Sequence, residues 1–527
     1  MVDAPPKKTT LMLSALILAL SALGSRVLGY FRDVIIAAKH GASEATDAYY
    51  AAFTLPDTLA YFLAGGALSI AFVPIYQRIL NQEGRAQALR LFQNIATVGG
   101  AILVLGMMLA FVFTEPLVQA LLPKFSPEQV QITADLSRIL LPGPLFFFLG
   151  GLLGATEIAE KRFRSTALAP LVYNLCIILG GLLFSSTLGV SAFAWGALAG
   201  AILGPFGTNL YFARRHIRLR LHLDLKAPEL RRYYIVALPL MLGVSLTTVD
   251  EWIGRYFASG LDAGSISWLN NARRLMLFPI ALIGQAIGQA ALPWLSQLAS
   301  EGDDDGVFRE LTHAMRSTGL LSASVATGLA ALSLIAIAFV YGYGAYTDAD
   351  VERTALILAL LCAAIPAWSM QAVVARAFYA RSHTWTPMLA SSVAVALALP
   401  VYSAMTRSHG VYGIALATAV AMTLQLAILI GFHSLRYGRH LWLSALGSVL
   451  LGVLTSLPGA ALAYLVVQRL WTLEASFLWT LSVAAIAGFT WLLIALPLLI
   501  MLGGNAAKPV RERIERIGRK ILRRRVQ

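Results

Sequence analysis

Charged side chains are few in this sequence, and several stand inside long apolar stretches. They are Arg26, Arg32 and Asp33; Asp47 and Asp57; Asp250, Glu251 and Arg255; and Arg273 with Arg274. A charge near the centre of a bilayer costs about 2.5–3.5 kcal/mol even on insertion scales, so it faces a cavity or a partner. Arginine keeps its charge in any environment, and its planar fork grips a phosphate or carboxylate through two parallel hydrogen bonds. Arg26, Arg32, Arg273 and Arg274 therefore suit an anionic substrate, and a pyrophosphate would match them well. The acids suit gates or structural ion pairs. Glu251 and Arg255 are four residues apart and could pair along one helix face, and Arg26 could pair with Asp33 a heptad on. Arg273-Arg274 has no acid nearby in its own helix, so the substrate role leads there.

The elements that carry these residues follow from composition. Charged residues make up 13% of the 527-residue chain and hydrophobic residues 58%, against about 25% charged in a soluble domain. Apolar runs of transmembrane length recur from end to end. In lipid every backbone polar group must be satisfied within the element, and Leu- and Ala-rich runs without strict alternation choose helices. About fourteen membrane helices are predicted, which makes this an all-α polytopic membrane protein. The charged set lies in the first two segments of each half: 9–38, 46–80, 233–258 and 264–299. One shared cavity between the halves is the expectation.

Lys and Arg gather on one side, at Lys7-Lys8, Arg78–Arg90, Lys161–Arg164, Arg214–Arg232, Arg376–Arg381, Arg436–Arg439 and the C-terminal tail. The opposite loops hold little beyond Lys39, Lys124, Arg353, Arg407 and Arg469. By the positive-inside rule both termini face the cytoplasm of an inner membrane. The net charge of +14 is thus a topology signal, and no nucleic-acid partner is expected. Lys7-Lys8 and the apolar run Leu11–Leu23 could pass for a signal peptide; a retained first helix is expected, because the motif at Ser25 continues directly from it. Cys176 and Cys362 read as small core residues.

A repeat divides the chain. Arg164-Ser165 with Pro170 returns as Arg381-Ser382 with Pro387 at an offset of 217, and Ala71-Phe72-Val73-Pro74 returns weakly as Ala290-Ala291-Leu292-Pro293. The predicted organisation is a six-helix lobe at 1–213, an amphipathic cytoplasmic linker at 214–232, a second six-helix lobe at 233–436, two extra helices at 437–503 and a basic tail at 504–527. In the linker Ile217, Leu219, Leu221, Leu223 and Leu225 alternate with polar residues, a pattern for the surface of the cytoplasmic leaflet. Pro56, Gly65-Gly66, Pro74, Pro142, Pro144, Pro279 and Pro293 fall mid-span and permit bending. No nucleotide loop, HExxH or Cys/His metal spacing appears. A transporter and not an enzyme is expected, with no cofactor, driven by an ion gradient, the membrane potential or substrate supply.

Specific motifs then name a family. Ser25-Arg26-Val27-Leu28-Gly29 followed by Arg32-Asp33 resembles the opening of the MurJ (MviN) lipid II flippases of the MOP exporter superfamily. Ala45-Thr46-Asp47-Ala48-Tyr49-Tyr50, Leu55-Pro56-Asp57, Ala272-Arg273-Arg274-Leu275-Met276 and Phe378-Tyr379-Ala380-Arg381 are similar in order along nearly the whole chain. The resemblance implies a MATE-like two-lobed protein with a cationic cavity that alternates between inward and outward states. It implies a groove for the polyprenyl tail at the last two helices, a peptidoglycan precursor as substrate and a monomer among membrane lipids. It makes Arg26 and Arg32 cavity arginines, Asp47 a gate-region acid and Arg274 the arginine of the family's Ala-Asp-Arg-Leu motif.

The sequence departs from that pattern at Ala60, Tyr61 and Gly65, at Arg273 where the family has an acid, and at His383 where it has aspartate. Some relatives bind sodium between spans seven and eleven; Asp250 would be one ligand, but Ser391–Met405 offers no Asn or Asp. A flippase for another polyprenyl-pyrophosphate saccharide, such as an O-antigen unit, stays open. A MATE-type drug or cation antiporter would need an acid-dominated cavity.

Overall fold

The structure is a computed structural model that describes residues 8–64, 71–214, 217, 219–242, 246–381, 383 and 385–504. Lys7, Gly65-Gly66, Arg218, Ser382 and the basic tail beyond Gly504 lie outside the described residues. Among those described, every regular element is a helix, as the composition demands. The chain divides into two compact units, Met1–Gly243 and Val244–Gln527.

The first unit opens with α1 (Lys8–His40), α2 (Glu44–Ala52), α3 (Thr54–Ala64) and α4 (Val73–Gln82). There follow α5 (Arg85–Val112), α6 (Thr114–Leu121), α7 (Pro127–Leu140), α8 (Gly143–Ala159) and α9 (Arg164–Leu188). It closes with α10 (Ser191–Ala201), a π-helical stretch at Ile202–Thr208, α11 (Asn209–Ala213) and α12 (Pro228–Leu242). Some prolines fall at breaks, whereas Pro170 and Pro293 lie inside α9 and α15. Proline lacks an N–H and its ring crowds the carbonyl four residues back, so α7 gives way to α8 at Pro142, and Pro205 sits in the π-helical stretch. Phe72, Tyr76, Phe92, Ile95, Phe148 and Leu152 form the unit's core, and Tyr233 and Ala237 of α12 complete it. The predicted span 233–258 thus falls in two helices, the first of which packs in the first unit.

Close approach sets some of this packing. A Cβ built on Gly150 of α8 would land on the carbonyl group of Pro205. Backbone cannot yield as a side-chain tip can, so Gly150→Ala is expected to destabilise the protein by about 1–3 kcal/mol through overpacking. Thermal unfolding in detergent, set beside Gly447→Ala, where nothing lies near the added carbon, measures the difference.

Residues 219–224 of the linker form neither helix nor strand. Asn94 of α5 holds it by a reciprocal pair, its Nδ2 donating to the Asp224 carbonyl at 2.7 Å and its Oδ1 accepting from the Asp224 N–H at 3.0 Å. The His222 N–H donates to Thr97 Oγ1 at 3.0 Å. Ile217 is buried, while Leu221, Leu223 and Leu225 are exposed.

The second unit begins with α13 (Leu246–Ala258), α14 (Ser265–Pro279), a π-helical stretch at Ile280–Gln285 and α15 (Ala286–Ser300). Next come α16 (Asp304–Ala331), α17 (Ser333–Tyr341), α18 (Asp348–Leu361) and α19 (Ala364–Ala380). The last are α20 (Trp385–Tyr437), α21 (Trp442–Leu470) and α22 (Phe477–Leu502). At 1.5 Å per residue a straight α20 would run about 80 Å, far beyond a hydrocarbon core of about 30 Å. It is two helices that meet at Gly410, whose φ of 59° puts it in the left-handed region where glycine costs least. The α16–α17 pair bends by 71° and the α18–α19 pair by 43°. Helix α21 packs between α16 and α22.

Among the described residues, seven helices are long and apolar enough to cross a membrane, or nine if each bent pair is one span. Their outer faces carry exposed leucine and phenylalanine, with Leu183 65% and Phe489 65% accessible. Such faces belong against lipid. Both cysteines are free thiols.

Candidate functional site

In the first unit the charged set gathers on α1, α2 and α3. Arg26 is exposed on α1. One heptad on, Asp33 is 1% accessible and its Oδ1 lies 2.9 Å from both Nε and Nη2 of its chain neighbour Arg32. Arg32 Nη1 also donates to Asn174 Oδ1 at 3.3 Å, and Asn174 Nδ2 donates to the Pro170 carbonyl at 3.0 Å. Helix α9 therefore orients the guanidinium of α1. Asn174 was missed in the sequence; a lone amide in an apolar span was the available signal. Asp47 is buried in the first turn of α2, and Asp57 is exposed in the first turn of α3, where the positive end of each helix favours a carboxylate.

In the second unit two neighbouring acids on α13 have separate partners. Glu251 accepts from Arg255 Nη2 one turn on, the pairing expected from their spacing. Asp250 is fully buried and its Oδ2 accepts from Nη1 of Arg273, on α14. Arg273 thus has an acid partner that lies outside its own helix. No acid lies near it in its own helix, but α13 supplies one, and only 7% of Arg273 is accessible. Asp250 Oδ1 accepts from the Tyr402 hydroxyl, with Thr418 Oγ1 3.2 Å away. Tyr402 and Thr418 lie on either side of Gly410 in α20, so the fold-back brings them together. Neither was foreseen as part of the site. Arg274 is partly buried beside this network. Among the described residues no group of three or more His, Cys, Asp or Glu is placed to hold a metal.

His383 makes its own contacts in place of an aspartate. Its Nε2 accepts from Arg436 Nη2 at 3.0 Å and its Nδ1 lies 3.1 Å from the Tyr437 hydroxyl. Desolvation, then the guanidiniums of Arg436 and Arg381, lower its pKa and keep the ring neutral. Arg381 pairs instead with Asp304 at the start of α16.

An apolar groove completes the second unit. It measures about 610 Å³ and runs between Ala323, Ala326 and Ala330 of α16, the bend at Cys362–Pro366, and Val453, Leu457 and Ala460 of α21. Alanine on facing helices leaves the width open. Helix α22 packs against α21 and does not line this groove.

The model of the family described as lipid II flippase MurJ matches residues 36–521. The chain belongs to the MurJ lipid II flippase family. A probable lipid II flippase MurJ of Thermotoga maritima is 30% identical over 405 residues, which cover 76% of this chain and 81% of that protein. A lipid II flippase MurJ of Burkholderia cenocepacia is 30% identical over 69% of this chain and 72% of its own length. The structure of a lipid II flippase MurJ in an inward closed conformation aligns with a TM-score of 0.77 at 24% identity, over 92% of this chain and 99% of that one. A MATE-family transporter of the MOP superfamily in an inward-facing conformation aligns at 0.66 and 13% identity, over 78% and 94%. The chain shares the helical fold of these two structures over most of its length, and it is a multi-pass membrane protein.

Proposed function

We propose that this protein translocates lipid II, the polyprenyl-pyrophosphate-linked peptidoglycan precursor, from the cytoplasmic to the periplasmic leaflet by alternating access. Membership of the lipid II flippase family across almost the full chain carries the reading. Chemistry supports it. Arg26 and Arg32 on α1, and Arg274 on α14, each carry a fixed positive charge of the kind that suits a pyrophosphate. The alanine-lined groove on α16 and α21 suits the apolar tail. Asp33, Asp47, Asp57 and the Glu251–Arg255 pair position or gate these arginines. The protein works as a monomer in the inner membrane with both termini in the cytoplasm, without a cofactor, and draws on the membrane potential or an ion gradient. An O-antigen precursor would offer the same pyrophosphate, and the test separates the two.

Purified protein in liposomes, given labelled lipid II or a labelled O-antigen precursor, is expected to move the first across the bilayer well above protein-free vesicles. Movement of the O-antigen precursor alone, with no rescue of cells depleted of their own lipid II flippase, overturns the substrate assignment.

A further inference from the structure

Asp250 poses a physical question that the transport reading does not answer. Its side chain is fully buried, and an isolated carboxylate there would be strongly disfavoured. A buried carboxylate is neutralised by a proton, a soluble cation or a fixed cation from the chain. We propose that Arg273 is that fixed cation: a tethered counter-charge, by virtue of which this protein neither binds nor needs a soluble monovalent cation at the junction of α13, α14 and α20.

The donor set carries the argument. Oδ2 is taken by Arg273 Nη1, and Oδ1 by the Tyr402 hydroxyl, with Thr418 Oγ1 3.2 Å away. A carboxylate presents about four acceptor positions, and the guanidinium stands on one oxygen while two hydroxyls crowd the other. A soluble cation would want those same oxygens and would meet a guanidinium charge that cannot be removed by deprotonation. The ring of Phe257 stacks on Tyr402 with centroids 5.9 Å apart and planes inclined by 10°, which fixes the hydroxyl. A neighbouring cavity of about 20 Å³ borders Arg273, Glu251 and Asn270 but not Asp250. Arg273 thus sets the electrostatics of the whole junction.

The inference deepens the transport reading by removing one source of coupling, and its first test does not depend on the substrate. The melting temperature of the purified protein in detergent is expected to be the same in sodium chloride as in choline chloride of equal ionic strength. A saturable rise with sodium, lithium or potassium overturns the proposal. Arg273→Met and Asp250→Asn are each expected to lower the melting temperature, and the double variant to recover at least half of the larger loss. A double variant no better than the worse single one also overturns it. In liposomes at a fixed membrane potential, lipid II flux is expected to be unchanged when choline replaces sodium on both sides, whereas a two-fold or greater fall counts against the tethered cation. Absence of any lipid II movement would strike the substrate assignment and leave the melting result to decide this one.

Discussion

Arg26→Ala and Arg274→Ala are each expected to cut lipid II translocation in liposomes by about 10- to 100-fold while leaving expression and melting temperature near those of the parent. The magnitude follows from chemistry. A charge-assisted hydrogen bond contributes about 1.5–3 kcal/mol, and each 1.4 kcal/mol is tenfold in an equilibrium. Arg26 is exposed on α1, so its removal uncovers no buried acid. Lysine at either position should restore part of the rate, since it keeps the charge and loses the two-pronged geometry. Initial rates at several lipid II concentrations, with circular dichroism as the folding control, are the measurement. Full activity in both alanine variants would mean that the head group is held elsewhere. Arg32 is a poorer probe, because alanine there also strips Asp33 of its partner.

Asp250→Ala is expected to have the largest effect on stability. Breaking a buried ion pair by removing one partner costs about 3–5 kcal/mol, because the other charge stays buried and uncompensated. Here the stranded group is Arg273, 7% accessible, and Tyr402 loses its acceptor in the same step. The loss should appear as early thermal unfolding in detergent and low yield from the membrane. Glu251→Ala, one residue along the same helix, is expected to be milder, since the Glu251 end of its pair is 43% accessible and open to screening, although its partner Arg255 is itself 7% accessible. Equal losses in the two variants would remove the distinction drawn between the neighbouring acids.

Much of this was open to a reader of the sequence. Scarce charge and long apolar runs required membrane helices, and the i,i+4 spacing of Glu251 and Arg255 announced their pairing. The arginines of α1 and α14 stood out because lipid makes an unpartnered charge expensive. The motifs around Arg26 and Arg274 carried the family.

Helix breaks were less legible. Pro142 marks one, and in the predicted span 46–80 Pro56 and Pro74 stand in the first turns of α3 and α4. Asn174, Tyr402 and Thr418 are ordinary residues in apolar runs, and their importance comes from the carboxylate and guanidinium groups they touch.

Arg273 shows where the division falls. Its residue type and spacing determined that a permanent positive charge would enter the membrane, because arginine does not lose its proton and α14 must cross as a helix. Whether that charge would meet a substrate or an acid depended on which helix lay beside α14, which spacing within one helix cannot report. The packing of α13 against α14 and the fold-back of α20 at Gly410 brought Asp250, Tyr402 and Thr418 to it. The sequence determined the charge; the tertiary structure decided its partner, because a buried ion pair forms only where packing places both groups within hydrogen-bonding reach.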